Sequence, residues 1–369
     1  MKMSLDTTAA SSSRDREVLN VSGLKVEFSV RGARGTRSKL RAVDDVSFSL
    51  NAGEVIGLVG ESGSGKTTTG RAAMRLVEPT AGTVMLAGRD ITTIPQRKLR
   101  RYRKHIQMVF QDPMASLDPS MVVGESIAEP LIVHEKLGRA DREERVRSLL
   151  TQVGLSQALA GRYPYELSGG QRQRVSIARA IAVQPDVLVC DEALSALDVS
   201  AQNGIIRLLD ELRETLNTAL VFISHDLSVV RNLADRVAVM YLGQIVETGL
   251  TDYVYHSPAH PYTEALLSAV PVPNPVVQKA RQRIKLHGEP PDPADPPPGC
   301  PFNSRCGHVM DVCRETYPDP IVTASGVITR CHLYDSGPLR GQATILGVKG
   351  IATHQATSPT ENRRTQSDE

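Results

Sequence analysis

The feature that most constrains this chain is a glycine-rich segment, Gly60–Thr67, with the sequence GESGSGKT. It fits the pattern G-x-x-x-x-G-K-[ST], in which backbone N–H groups cradle phosphate oxygens. The apolar run Val55–Val59 precedes it, and the proline-free run Thr67–Val77 follows with helical apolar spacing. Strand, loop and helix in this order predict a phosphate-binding loop rather than a chance turn, because the helix N-terminus adds partial positive charge.

Length and composition exclude several classes of protein. A chain of 369 residues with 40 % apolar content allows one large domain plus an appendage, or two domains. A net charge of +2, no Trp and five Phe argue against a nucleic-acid partner. The sequence has no apolar run of about 18 residues, so we expect no membrane span. Its first residues have no apolar signal region, which favours a cytoplasmic chain.

Alternating apolar residues predict an antiparallel β-region near the N-terminus. The runs Val18–Val30, Ala42–Leu50 and Val84–Leu86 alternate or are short and apolar, and short connections permit antiparallel pairing. The polar residues 1–17 and 341–369 predict disordered tails.

The middle of the chain favours helices. Ser126–Leu159 has apolar residues at helical spacing, with a loop around Gly138. The basic run Arg97–Lys104 (RKLRRYRK) predicts a solvated helix face, and contact with a partner or with lipid headgroups is the alternative.

Three buried strands are each followed by polar residues. The apolar runs Val187–Cys190 and Ala219–Ile223 have the composition of strands buried on both faces. The first leads into Asp191-Glu192 and the second into Ser224-His225, while Val55–Val59 leads into the phosphate loop. In an open parallel sheet, ligands bind beyond the carboxyl ends of the strands. The predicted class is therefore α/β, with a parallel core sheet whose polar ends converge on one nucleotide.

Phosphoryl transfer needs Mg²⁺, neutralised charge and an oriented water. Lys66 is placed to reach the β- and γ-phosphates, and Thr67 and Asp191 to bind Mg²⁺. Glu192 is our candidate for the base that orients the attacking water, and the alternative is a carboxylate that only shapes the site. Gln111 and His225 each follow an apolar strand, where contact with the γ-phosphate and a purely structural role are both open.

A second anion-binding helix start lies at Leu167–Gln171 (LSGGQ). Ser168 is a good N-cap for a helix over Arg172–Val183. Because one nucleotide needs only one phosphate cradle, this second helix start predicts contact with a different copy of the nucleotide.

The order of these motifs resembles the ATP-binding subunit of ABC transporters, over roughly residues 18–335. The resemblance implies an ATPase domain at residues 18–250 with a helical subdomain at about 112–165, and ATP and Mg²⁺ as cofactors. It implies catalytic roles for Glu192, His225 and Gln111, Mg²⁺ contacts for Thr67, Gln111 and Asp191, and a D-loop at Ser195–Asp198. The nucleotide-binding residues that it implies are Phe28, Gly60, Glu61, Ser62, Gly63, Ser64, Gly65, Lys66, Thr67, Thr68, Gln111, Ser168, Gly169, Gly170, Gln171 and Asp191.

Phe28 matches the aromatic that stacks on adenine in this family, and a core position in its strand is the alternative. One departure is Ala193, where the family usually has proline; it removes no ligand. By the same resemblance two ATP-binding subunits, identical or paralogous, pack head to tail, so that Ser168 of one caps the γ-phosphate held by the other.

The C-terminal third resembles the oligopeptide/dipeptide importer branch in Pro258–Leu267, Gly288–Pro291 and Gly299–Phe302, within an extension at residues 251–340. The resemblance implies a peripheral subunit on the cytoplasmic face of the membrane. It would power uptake of oligopeptides or dipeptides through two separate permease subunits, and indirectly serve an extracytoplasmic binding protein. Nickel and glutathione importers of the same branch stay open. An alternative of another class is a soluble ABC-type ATPase that acts on nucleic acid or ribosomes.

Four cysteines cluster in this extension: Cys300, Cys306, Cys313 and Cys331. In a cytoplasmic chain, clustered cysteines suggest metal more than disulfides. Their wide, irregular spacing is compatible with a [4Fe–4S] cluster, and zinc or inert thiols are the alternatives. Cys190, in an apolar strand, is expected to be a core residue.

Overall fold

The fold contains two β-sheets. The structure is a computed structural model, and it describes residues 16–31, 37–195, 197–271, 283–286, 288–339 and 343–345. The predicted α/β class is confirmed, with an antiparallel sheet beside a largely parallel core sheet. The described strands are β1 (Glu17–Arg31), β2 (Arg37–Asn51), β3 (Val55–Val59), β4 (Ala81–Leu86), β5 (Arg89–Asp90), β6 (Ile106–Val109), β7 (Val187–Asp191), β8 (Ala219–Ser224), β9 (Arg236–Tyr241), β10 (Gln244–Leu250), β11 (Ile321–Thr323), β12 (Ile328–Thr329) and β13 (Ala343–Ile345).

The first sheet has the order β2-β1-β4-β5 and is antiparallel throughout. Alternation in β1 buries Leu19, Val21, Leu24 and Val26, each no more than 1 % exposed, as the sequence pattern predicts. These side chains pack in one cluster with residues of the core sheet such as Ile56. The antiparallel sheet therefore stands against the strand that leads into the phosphate loop.

The core sheet has the order β13-β11-β12-β10-β9-β3-β8-β7-β6. The five strands from β9 to β6 pair in parallel, so their carboxyl ends share one edge. Strands β3 and β7 are buried at every residue, as expected for continuous apolar runs between two layers. The C-terminal extension continues this sheet, because β12 pairs with β10 through Thr329 and Glu247. The sequence pattern did not predict that continuation.

The helices cover both faces and form a group between β6 and β7. The helix α7 begins at Val199, where the Asp198 carboxylate accepts a hydrogen bond from the N–H of Ala201 at 2.9 Å and so caps the helix. The described α-helices are α1 (Lys66–Ala73), α2 (Gln96–Leu99), α3 (Pro113–Ser116), α4 (Val123–His134), α5 (Arg139–Gln152), α6 (Gly169–Ile181), α7 (Val199–Leu216), α8 (Leu227–Leu233), α9 (Thr251–His256), α10 (Pro261–Ala269) and α11 (Val312–Glu315).

The basic run does not form the single helix face that its sequence predicts. It lies in two short helices, α2 and a 3-10 helix at Arg100–His105. Within the described ranges no helix is long and apolar enough to cross a membrane. Of the tails predicted at 1–17 and 341–369, residues 1–15 and most of 341–369 lie outside the described residues, and Ala343–Ile345 pair with β11. The limits 18–250, 112–165 and 251–340 stay predictions.

Candidate functional site

The phosphate loop connects β3 to α1 at the carboxyl edge of the core sheet. Gly60, Gly63 and Gly65 have φ of 151°, 79° and 99°, which L side chains rarely adopt. A Cβ at Gly60 would collide with the carbonyl of Met240, and one at Gly65 with the carbonyl of Ala42. The loop is thus closely packed between β9 and β2, and only glycine fits at these two positions.

Lys66 is 4 % exposed and folds back over its own loop. Its Nζ donates to the carbonyl of Gly60 at 2.9 Å and to that of Glu61 at 2.8 Å. Burial lowers the pKa of Lys66, and the carboxylates of Glu192, Asp191 and Glu61 oppose that shift. An anion entering the loop would therefore meet an ammonium already held at the site.

Thr67 and Asp191 meet at the start of α1 and the end of β7. The Thr67 hydroxyl donates to Oδ1 of Asp191 at 2.7 Å. Asp191 is 1 % exposed, and its Oδ2 has no hydrogen-bond partner, although Arg71 lies 3.8 Å away. Burial raises the pKa of this carboxyl, while the Thr67 hydroxyl and Arg71 oppose the shift. A hydroxyl beside a buried, under-coordinated carboxylate oxygen fits a hard cation such as Mg²⁺.

The three predicted catalytic side chains lie together, because Gln111 and His225 both contact Glu192. Gln111 donates through Nε2 to Oε2 of Glu192 at 2.9 Å, and His225 Nδ1 lies 3.4 Å from Oε1. Glu192 has φ 45° in the tight turn after β7, and its N–H donates to the carbonyl of Ile223 in β8. The predicted convergence of strand ends is present.

One open cavity is lined by half of the predicted nucleotide-binding residues and by Glu192. Phe28, which is 40 % exposed, and the phosphate loop both border it. The predicted residues that line the cavity are Phe28, Ser62, Gly63, Gly65, Lys66, Thr67, Thr68, Gln111 and Glu192. The cavity is therefore bordered by the antiparallel sheet on one side and by the core sheet edge on the other.

Sequence reasoning missed six lining residues: Leu40, Arg41, Ala42, Leu242, Gly243 and Pro293. The pair Leu242-Gly243 could have been predicted, because it follows the apolar run Val237–Tyr241. Strand β9 pairs in parallel with β3 and so ends at the same edge. Pro293 could not be predicted as a lining residue, since the proline-rich residues 289–298 lie far from the loop in sequence.

The remaining predicted residues do not line this cavity. Three residues of the phosphate loop are absent from the lining: Gly60, Glu61 and Ser64. Asp191 is also absent and bonds to Thr67, which does line the cavity. His225 lines an adjoining cavity together with Glu192. The structure describes all four predicted residues of the second helix start, and none of them borders the cavity: Ser168, Gly169, Gly170 and Gln171. Ser168 caps α6, as predicted, in a reciprocal pair with Gln171. This helix start is therefore available to a ligand other than one in the chain's own cavity.

The four clustered cysteines line one small cavity in the C-terminal extension, together with His308 and His332. Burial raises the pKa of Cys300 to about 11 and that of Cys331 to about 12. Among the described residues, no three His, Cys, Asp or Glu side chains are placed to hold a single metal ion. Cys190 is fully buried in β7, which confirms its assignment to the core.

Comparison with known proteins gives two family matches. Residues 43–195 match the family model described as ABC transporter. Residues 246–313 match the one described as oligopeptide/dipeptide transporter, C-terminal region. The first match includes the phosphate loop, and the second includes Cys300, Cys306 and Cys313 of the extension.

Curated relatives agree along most of the chain. The chain is 48 % identical over 320 residues to the oligopeptide transport ATP-binding protein AppF of Bacillus subtilis, covering 86 % of this chain and 97 % of the relative. It is 46 % identical to OppF of Salmonella typhimurium, covering 82 % and 92 %.

Solved structures agree with the fold. The dimeric post-hydrolysis state of the ATP-binding cassette MJ0796, bound to ADP and Pi, has a TM-score of 0.58 at 28 % identity, covering 63 % of this chain and 98 % of that one. CbiO1 of Clostridium perfringens, part of an ABC transporter complex, also has a TM-score of 0.58, at 27 % identity, covering 66 % and 92 %. The chain therefore belongs to the ABC transporter family, as an ATP-binding protein with the C-terminal region of the oligopeptide/dipeptide branch.

Proposed function

We propose that this chain hydrolyses ATP at the carboxyl edge of its core sheet and thereby powers peptide uptake through separate membrane permease subunits. The observation that carries the proposal is the pair of contacts Thr67–Asp191 and Gln111–Glu192 beside one phosphate loop. Phosphoryl transfer depends on positioning and charge neutralisation. The first contact joins two residues that would hold Mg²⁺, and the second holds the residue that would orient the attacking water.

Each residue has a role in this proposal. The loop N–H groups and the N-terminus of α1 bind the phosphates, and Lys66 exchanges its loop carbonyl partners for β- and γ-phosphate oxygens. Thr67, Asp191 and Gln111 would hold Mg²⁺, which neutralises charge on the transferring phosphoryl group when bound. Glu192 orients the attacking water and accepts its proton, while Gln111 and His225 hold the Glu192 carboxylate in position.

Adenine would stack on Phe28, whose exposed ring borders the cavity. The adjoining β2 residues Leu40, Arg41 and Ala42 complete that wall. The exposure of the Phe28 ring supports the stacking role over a position in the core.

The active unit would be a head-to-tail pair of ATP-binding subunits. In each, Ser168–Gln171 lies outside the chain's own cavity, at the start of a helix of 13 residues. A helix start with free N–H groups attracts anions, so the partner's γ-phosphate is its natural ligand. The second subunit is another copy of this chain or a paralogue.

Hydrolysis does transport work only through other chains. The ATPase would sit at the cytoplasmic face of the membrane, bound to two permease subunits that receive cargo from an extracytoplasmic binding protein. Peptide is the proposed cargo because the relatives AppF and OppF are named for oligopeptide transport.

Co-purification with the permease subunits tests this assembly. We expect a complex whose ATPase activity rises when a peptide-loaded binding protein is added. Stimulation by a nickel- or glutathione-loaded binding protein instead would replace peptide as the cargo. Failure to bind any permease would contradict the transport role.

The four clustered cysteines are proposed to hold a [4Fe–4S] cluster. Their convergence on one cavity supports a shared ligand, and each thiolate of such a cluster binds a different iron, so they need not surround a single ion. The cluster would be structural or regulatory, because ATP hydrolysis needs no redox step.

Anaerobically purified protein is expected to contain iron and sulfide and to absorb broadly in the visible range. Cys306→Ser should lose both, whereas Cys190→Ala, which removes a buried thiol from β7, should keep them. Zinc in place of iron would select the zinc alternative. If the wild-type protein is folded but colourless and free of metal, the cluster proposal is wrong and the thiols are inert.

A further inference from the structure

Arg305, in the cysteine-containing extension, forms a two-pronged ion pair with the phosphate loop. Its Nη1 lies 2.7 Å from Oε2 of Glu61, and its Nη2 lies 3.1 Å from Oε1. The Arg305 side chain is 6 % exposed and that of Glu61 is 29 % exposed. The hydrogen bonds to Glu61 raise the pKa of Arg305. Fork-to-carboxylate pairs of this kind fix orientation as well as distance.

The same extension also holds the backbone of Glu61. The N–H of Glu61 donates to the Tyr262 hydroxyl at 2.8 Å. Tyr262 is fully buried, and its ring packs at 4.7 Å from that of Tyr241 and at 5.4 Å from that of Phe302. Residues C-terminal to β10 therefore hold both the side chain and the backbone of Glu61.

Arg305 and Tyr262, the two residues that hold Glu61, lie in segments fixed by backbone hydrogen bonds. Arg305 lies between Cys300 and Cys306, and its N–H donates to the carbonyl of Phe302, while the N–H of Cys300 donates to that of Cys313. Tyr262 follows a turn whose two N–H groups, at Ala259 and His260, donate to the buried carboxylate of Glu247 at 2.8 Å each.

We propose that the cysteine-containing extension presets the phosphate loop for nucleotide binding, with Arg305 as a positioning residue that acts through Glu61. The carbonyl of Glu61 accepts from Lys66, so Glu61 is held at its side chain, its N–H and its C=O. Releasing the side chain frees the segment that orients the loop N–H groups and Lys66. A loop ordered before binding costs less to occupy, so the effect falls on nucleotide affinity.

The inference rests on the proposed nucleotide site, and binding of Mg²⁺-ADP, measured by calorimetry, tests it without turnover. Arg305→Gln is expected to raise Kd about tenfold, equivalent to about 1.4 kcal/mol. Arg305→Lys keeps the charge but loses the fork, so it should raise Kd about threefold. Glu61→Gln should match Arg305→Gln, and the double variant should be no worse than either single one, because the pair acts as a unit.

Arg330→Gln is the matched control. Arg330 also joins the extension to the rest of the chain, through Asp45 of β2 at 3.1 Å, and does not touch the phosphate loop. Its Kd should stay within about twofold of wild type, since the two sites share no partner. In the assembled transporter, Arg305→Gln should raise KM for ATP and leave kcat at saturating ATP nearly unchanged.

The outcomes separate the inference from the site on which it rests. If Lys66→Ala loses ADP binding while Arg305→Gln and Tyr262→Phe bind like wild type, the positioning role is wrong and the site stands. If Lys66→Ala binds like wild type, the nucleotide site itself is wrong. Tyr262→Phe removes only the acceptor for the Glu61 N–H, so it decides the question even if Arg305→Gln does not fold.

Discussion

Replacing Glu192 by glutamine is expected to lower ATP turnover by about 10²- to 10⁴-fold and to leave ATP binding intact. The glutamine amide keeps the volume of Glu192 and an oxygen that accepts from Gln111 Nε2, now at 2.9 Å. It cannot accept a proton from water. Because ATP bound between two subunits is then not cleaved, the variant should also accumulate as an ATP-bound dimer.

Single-turnover hydrolysis, ATP binding and size-exclusion chromatography measure these three effects. Glu144→Gln is the control, because Glu144 is an exposed residue of α5 that pairs with Arg147 at a helix surface. If Glu192→Gln keeps more than about a tenth of the wild-type turnover rate, the loss is too small for the removal of the catalytic base. It would support the alternative in which Glu192 only shapes the site.

Replacing Ser168 by arginine is expected to stop hydrolysis at the partner's phosphate loop and to spare the chain's own. The larger side chain would occupy the start of α6, where Ser168 now caps the helix through the N–H of Gln171. None of Ser168–Gln171 borders the described cavity of the same chain, so its own site loses no contact.

Two differently tagged copies test the direction of this contact when Ser168→Arg is combined with Lys66→Ala. With the changes on different copies, a head-to-tail dimer keeps one undamaged site and about half its activity. With both changes on one copy, each site carries one defect and activity is lost. If the signature segment serves its own chain, the two results are reversed. Where the natural partner is a paralogue, the same two arrangements are made across that pair.

Much of the site was predictable because it depends on local sequence. Gly60 and Gly65 occupy backbone conformations that other residues rarely adopt, and the apolar run before Asp191 places that carboxylate at a strand end. Ser168 was predicted as an N-cap from its own side chain and the residues that follow it. Asp198 caps α7 through the same kind of local contact.

The sequence by itself determined the phosphate loop, the strand ends beside it and the order of motifs that marks the family, because each is encoded by neighbours along the chain. Only the tertiary structure decided how the extension meets the loop. Arg305 and Glu61 are 244 residues apart, and Pro293 borders the cavity from the described residues 288–298, which form no helix or strand. These contacts exist because β12 adds to β10 and so brings the extension to the core sheet. Pairing between distant strands depends on the packing of the whole chain, which no local spacing encodes.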